Sequence, residues 1–252
     1  KEASPKPPAE ASSPRSGSNS GQAQVKTHWA EQSTYKDAGS KIQELFTNES
    51  AGGKRVGVWY PEGKEKKGVV KTLNHIGEVG VHIKEEFPSI YDRIMNDSRS
   101  LKIQVEGELE VQAAVGGFPN PAYYDPKAGL FIGTAGSGGK GFGSLKIGGG
   151  WMTTKGQVGT ISHEIGHHIW YGMKDEEKLD FAKAFLGKTS QEITPDSWDE
   201  EIKKQGEDIK RTIGAYAATN ISEAFAESFS SYVHPQYQSG VKGKSLPSVL
   251  DT

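Results

Sequence analysis

Residues 156–173 read GQVGTISHEIGHHIWYGM. At about 100° of turn per residue, Val158, Ile161, Ile165 and Ile169 gather on one face. His163 and His167 fall on roughly the opposite face. The spacing therefore predicts a helix from Gly156 to about Met173, with an apolar back for a core and a polar front for a cleft. Two histidines at i and i+4 stand one turn apart on the same side, so both imidazoles reach one ion. Glu164, beside the first histidine, approaches the ion's water from the side. This is the HExxH arrangement. His168 lies about a quarter turn from the pair and reads as packing or an outer partner, not a ligand. His28, His75, His82 and His234 have no partner spacing and read as ordinary.

Two histidines do not hold a catalytic zinc; a third protein ligand is needed, with one position left for water. A glycine three residues after His167 and a histidine three beyond that would supply it locally. Trp170 and Met173 stand there instead, so a later helix must provide the ligand. The stretch NISEAFAESFSSYV, 220–233, is the best candidate. Glu223 and Glu227 share one face, while Ile221, Phe225, Phe229, Tyr232 and Val233 point to the far side. One carboxylate can bind metal while the other hydrogen-bonds a ligand histidine, and spacing alone does not say which. Asn220 with Glu223 three residues on also reads as a capping box, and a Glu223 that binds metal leaves Asn220 to cap alone.

Working outward, residues 1–24 are dominated by Pro, Ser, Gly and Ala and read as a linker or tail that cannot offset its own ordering entropy. A folded domain over 25–252 follows, with 25–100 a candidate helical N-terminal subdomain. Helices are expected at 34–47, at 69–96 with a split at Pro88, and then at 156–173, 175–186, 198–213 and 220–233. In the split pair, Val70, Leu73, Ile76, Val79 and Ile83 carry the core spacing. Strands are expected at 55–60, 101–105, 109–115 and 130–134, with a short one at 145–147. The glycine-rich run 133–150 is not a P-loop: Thr134 stands six before Lys140, and Gly141 follows it. It reads as a flexible loop or a mobile cleft rim. The loop GGFPNPAYY, 116–124, reads as a turn or a pocket wall.

The chain has 252 residues, a net charge of -2 and no cysteine. The charge argues against nucleic acid as a partner. Without cysteine, any metal is held by His, Asp or Glu. No run of about 18 apolar residues offers a membrane span. The start at Lys1 and the low-complexity tail read as part of a larger polypeptide or a processed product. An extracellular or virion-associated location is favoured over a cytoplasmic one.

HEIGHH followed some fifty residues later by YAATNISEAFAESF resembles the anthrax lethal factor-type peptidase domain and its relatives, among them bacterial proline-specific endopeptidases. These are gluzincins. Tyr216, Thr219, Asn220, Glu223, Phe225, Ala226 and Glu227 all match the pattern, and the likeness covers about 158–232. It implies that His163, His167 and Glu223 bind Zn2+, that Tyr216 lies over the zinc and assists the tetrahedral intermediate, and that Glu227 is an outer partner. The expected fold is α+β and zincin-like, with a small, mostly antiparallel sheet over the HExxH helix and a helical C-terminal lobe. The expected function is a zinc endopeptidase acting on a peptide or protein, with Glu164 as general base. A substrate would pair with a strand around 145–151. The alternative is a virion-associated or phage structural protein carrying a peptidase-like domain. A relic, or a zinc module without catalysis, should have lost Glu164.

Overall fold

The computed structural model describes residues 28–47, 57–60, 67–97, 101–106, 122–134, 142–189 and 191–237. The tail at 1–24, the expected strand at 109–115 and the centre of the glycine-rich run lie outside the described residues. The fold is α+β. Helix α1 (Tyr35–Leu45) precedes strand β1 (Gly57–Trp59), helix α2 (Lys67–Glu86) and helix α3 (Pro88–Asn96). Strands β2 (Lys102–Glu106), β3 (Ala122–Asp125) and β4 (Gly129–Gly133) follow. The C-terminal part is helical: α4 (Gln157–Gly172), α5 (Asp175–Leu186), α6 (Trp198–Lys204), α7 (Gly206–Thr212), a 3-10 turn (Tyr216–Ala218) and α8 (Ile221–Tyr232).

Pro88 separates α2 from α3 as its missing N–H and fixed φ require, with Phe87 as the non-helical residue between them. On α2 the buried apolar positions are Val69, Leu73, Ile76, Val79 and Ile83, so Val69 rather than Val70 takes the first core place. The expected helix over 198–213 is instead two short helices meeting at Gln205. Gly206 follows, a residue that is unfavourable inside a helix.

The sheet runs in the order β1-β2-β4-β3. Among the described strands the expectation of a mostly antiparallel sheet is corrected: β1–β2 and β2–β4 are parallel, and β3–β4 alone is antiparallel. The reason lies in the connections. Helices α2 and α3 sit between β1 and β2, which is the long crossover that parallel neighbours need. Strands β3 and β4 are joined by a tight turn in which Asp125 Oδ1 accepts from the N–H groups of Lys127 and Ala128 at 2.8 and 2.7 Å. All five residues of β4 are buried, as befits a central strand covered on both faces. Strand β3 takes in the end of the loop read as a turn or a pocket wall, whose residues 116–121 lie outside the described residues.

Helix α4 is the centre of the molecule. It packs against β3, β4, α2 and, most extensively, α8. Gln157 through Trp170 are all buried, so α4 has no broad polar front; its histidines face a neighbouring helix. The approach of α8 depends on Gly166. A Cβ there would lie 3.0 Å from Ala226 Cα and 3.2 Å from Phe229 Cδ1. Alanine gains about 1 kcal/mol over glycine in helix propensity, but overpacking against a backbone atom costs about 1–3 kcal/mol. Because the nearest atom is backbone and yields little, the cost falls in the upper part of that range, and we expect Gly166→Ala to lower stability by a net of about 1–2 kcal/mol, or several degrees in melting temperature. A thermal unfolding curve at or above that of the parent would show that the two helices part freely.

Candidate metal centre

Helix α4 supplies His163, Glu164 and His167; α8 supplies Glu223 and Glu227; the 3-10 turn supplies Tyr216. The start of α8 is tied down by two side chains. Asn220 Oδ1 accepts from Glu223 N at 2.9 Å, and Asp199 Oδ1 from Ile221 N at 2.8 Å. Asn220 thus caps alone, and the Glu223 carboxylate is free to turn toward α4.

That carboxylate completes a tight triangle. Glu223 Oε2 lies 3.0 Å from His163 Nε2 and 3.1 Å from His167 Nε2, and the two Nε2 atoms are 3.1 Å apart. His163, His167 and Glu223 form a group able to hold a metal ion. The donor chemistry fits one. Two bare imidazole nitrogens at this distance repel through their lone pairs, and two protonated ones clash. One proton relieves a single pair, whereas a shared cation satisfies all three donor atoms at once. No sulfur donor is present, so the set is nitrogen and oxygen.

Burial alone would disfavour the Glu223 anion, but His163 and His167 outweigh it and hold its pKa to about 2. Burial likewise opposes a charged His163. The carboxylates of Glu223 and Glu227 overcome this and raise its pKa well above the ordinary value. The ring is therefore held in a field that favours positive charge at this spot.

Glu227 is fully buried and faces the other side of the same ring, with Oε1 2.8 Å from His163 Nδ1. This is an ion-pair contact whose alignment falls short of a full hydrogen bond. Its second oxygen, Oε2, accepts from Thr153 N at 2.6 Å and Thr153 Oγ1 at 2.8 Å. Sequence reasoning missed Thr153: nothing in WMTTKG marks one threonine as a carboxylate clamp.

Glu164 is 4% exposed, and its side chain makes no hydrogen bond among the described residues. Burial raises its pKa. His163 and His167 pull the other way, while Glu223 and Glu227 add to the rise. Tyr216 lies against His163, with ring centroids 5.4 Å apart and planes 24° apart. Its ionisation is suppressed first by burial and then by Glu223, Glu164 and Glu227, so the phenol keeps its proton. Trp151, 59% exposed, stacks on the other side of Tyr216 at 5.7 Å.

The segment expected as a cleft strand at 145–151 forms no strand; its one ladder contact is an isolated antiparallel bridge, Leu145 to Thr154. Its backbone is spent elsewhere. Gly148 N donates to Ile213 O, Gly149 N to Lys210 O, Ala215 N to Gly150 O and Tyr216 N to Trp151 O, at 2.7–3.1 Å. Gly148 has φ +85°, and a Cβ there would meet Arg211 O at 2.7 Å, so glycine is required. This loop carries Tyr216 on one side and Glu227 on the other.

The remaining histidines serve the scaffold. His168 turns away from the site and its Nδ1 meets the Tyr124 hydroxyl at 3.0 Å, tying α4 to β3. His75 Nδ1 meets Gln157 Oε1, His82 Nε2 meets Val233 O, and His234 Nε2 meets Gly143 O. Comparison with known proteins adds no relative: no family model, no curated protein and no solved structure matches the chain.

Proposed function

We propose that this chain is a zinc-dependent endopeptidase of the gluzincin type. The observation that carries the reading is the convergence of His163 Nε2, His167 Nε2 and Glu223 Oε2 within 3.1 Å, with the buried carboxyl of Glu164 next to it in sequence. Two histidines and one carboxylate are a donor set of catalytic zinc sites, which keep a further position open. The likeness of HEIGHH and YAATNISEAFAESF to lethal factor-type peptidases points the same way.

His163, His167 and Glu223 would hold the zinc, which would supply Lewis acidity for a water, its pKa lowered toward about 7, and for a peptide carbonyl. Glu164, buried and next to His163 in the chain, accepts the water's proton on its carboxylate and returns it to the leaving amine. Tyr216, kept protonated, donates its O–H to the carbonyl oxygen as that atom gains charge. The substrate is a peptide or protein segment. The idea that it pairs with 145–151 loses its basis, because that backbone bonds to 210–216. No described helix is long and apolar enough to cross a membrane.

The test is metal analysis joined to a peptide-library cleavage assay. We expect about one zinc per chain, and hydrolysis that chelators abolish and zinc restores. A gently purified protein that carries no transition metal and takes up no added zinc would sink the proposal.

Tyr216→Phe should keep zinc and lower kcat roughly 10- to 1000-fold, as the loss of one oxyanion donor does. Hydrolysis at the parent rate would remove Tyr216 from the mechanism.

A further inference from the structure

We infer that Thr153 is a positioning residue of the metal centre, acting through Glu227 on His163; this rests on the zinc reading above. A buried carboxylate has two in-plane oxygens, and what one of them bonds sets where the other points. Glu227 is fully buried, and so is Thr153. Both donors of Thr153, its N–H and its hydroxyl, converge on the single atom Glu227 Oε2, at 2.6 and 2.8 Å. Oε1 is thereby directed at His163 Nδ1, 2.8 Å away. Oε1 makes no full hydrogen bond among the described residues, so the contact with His163 is the one that it keeps.

The consequence reaches the site through the imidazole. An Nδ1–H held toward Glu227 leaves Nε2, on the far edge of the ring, as the bare donor. That atom is the one within 3.0 Å of Glu223 Oε2. An outer carboxylate against Nδ1 also raises the basicity of a ligand histidine. Were Thr153 to release Oε2, the carboxylate could rotate about its last bond. Neither the direction of His163 nor its tautomer would then be fixed. His167 has no equivalent neighbour: its ion pair is through Nε2, and no described carboxylate lies against its buried Nδ1. The burden of holding the pair falls on the Thr153–Glu227–His163 line.

Thr153 also connects this line to the rest of the loop. Two residues earlier, the Trp151 carbonyl accepts from Tyr216 N at 2.9 Å. Next in the chain, Thr154 Oγ1 bonds Ser230 Oγ at 2.8 Å on α8. The backbone at 153 is therefore fixed independently of its own side chain. A change of the hydroxyl alone tests the clamp without dismantling the loop.

The experiment is a chelator-competition measurement of zinc affinity on the full chain carrying Thr153→Val or Thr153→Ser, with melting temperatures and zinc content of the parent alongside. Valine keeps the shape and the N–H but removes the hydroxyl donor. We expect Thr153→Val to weaken zinc binding about 10-fold, at the low end of the 10- to 100-fold cost of losing an outer partner. Thr153→Ser restores the donor and should return affinity to within about 3-fold of the parent, the rescue that a role in positioning requires. If the valine methyl is not tolerated, Thr153→Ala removes the same donor without adding bulk and carries the same expectation. A lowered melting temperature with unchanged zinc affinity in Thr153→Val and Thr153→Ala makes Thr153 structural only and overturns the inference. Loss of affinity in the serine variant equal to that in valine overturns it as well. A parent that binds zinc but cleaves no library peptide fails as an endopeptidase while Thr153 keeps its role. A parent that binds no zinc defeats both.

Discussion

Glu164→Gln is expected to bind zinc as the parent does and to lose turnover by roughly 10²- to 10⁴-fold, the usual contribution of a positioned proton carrier. The amide has the shape of the carboxyl but cannot accept the water's proton. The three donors of the triangle belong to other residues, so the metal stays. Stability gives an independent reading. Burial raises the Glu164 pKa in the folded state. A carboxyl with a raised folded pKa favours folding below its unfolded pKa, and that contribution is lost as pH rises through the folded value. At neutral pH the charged form is therefore a cost that glutamine removes. The zinc-free variant should melt no lower than the zinc-free parent. Hydrolysis at the parent rate, with zinc content unchanged, would exclude Glu164 as the base.

The helices were legible where periodicity and punctuation agreed. Helix α5 occupies Asp175–Leu186 as read, ending at Gly187 in the left-handed conformation. Pro88 divides α2 from α3. What the sequence hid was partnership between distant segments. Strand direction depends on whether a crossover or a hairpin joins two strands, and no local pattern in KIQVE or GLFIG reveals it. Strand β3 is four residues long, and prolines at 119 and 121 precede it, so a turn was the natural reading. The burial of α4 on every side was also hidden. Its histidine face meets α8, which lies some fifty residues further along the chain.

The site divides the same way. His163, Glu164 and His167 lie on one helix, so helical geometry alone puts them together. Glu223 needed a second helix to arrive at the right height, and the family likeness, not periodicity, singled it out from Glu227. Thr153 and Asp199 were invisible, because each acts across at least twenty residues on a backbone or carboxylate group that any chain could offer. Trp151 fell at the end of a segment read as a strand, and its stacking on Tyr216 follows from a loop path that glycine at 148 permits.

The two carboxylates of α8 give the sharpest test of the proposed centre. Glu223 and Glu227 are one turn apart, yet they meet His163 on opposite ring nitrogens. Glu223 Oε2 touches Nε2 of both histidines, whereas Glu227 Oε1 faces Nδ1 of His163 alone. Removing Glu223 takes away one of three donors, and the two histidines that remain do not suffice for a stable zinc site. Glu223→Ala should therefore strip the metal on dialysis, with hydrolysis lost as a result. Removing Glu227 leaves all three donors in place but frees the His163 ring, and zinc affinity should fall about 10- to 100-fold. Alanine at 227 also leaves the Thr153 N–H buried and unpaired, at about 1–3 kcal/mol, while the Thr153 hydroxyl keeps only the residue 227 carbonyl at 3.3 Å, so its melting temperature should fall by more than that of Glu223→Ala, whose site is partly open to water. Glu227→Gln separates the two effects, since it still accepts from Thr153 but no longer carries the charge opposite His163. Its stability should approach the parent's while its zinc affinity stays reduced. Zinc titrations on the three variants decide the matter: if Glu227→Ala loses zinc outright and Glu223→Ala retains it, the ligand is Glu227, and the triangle seen here is not the metal site.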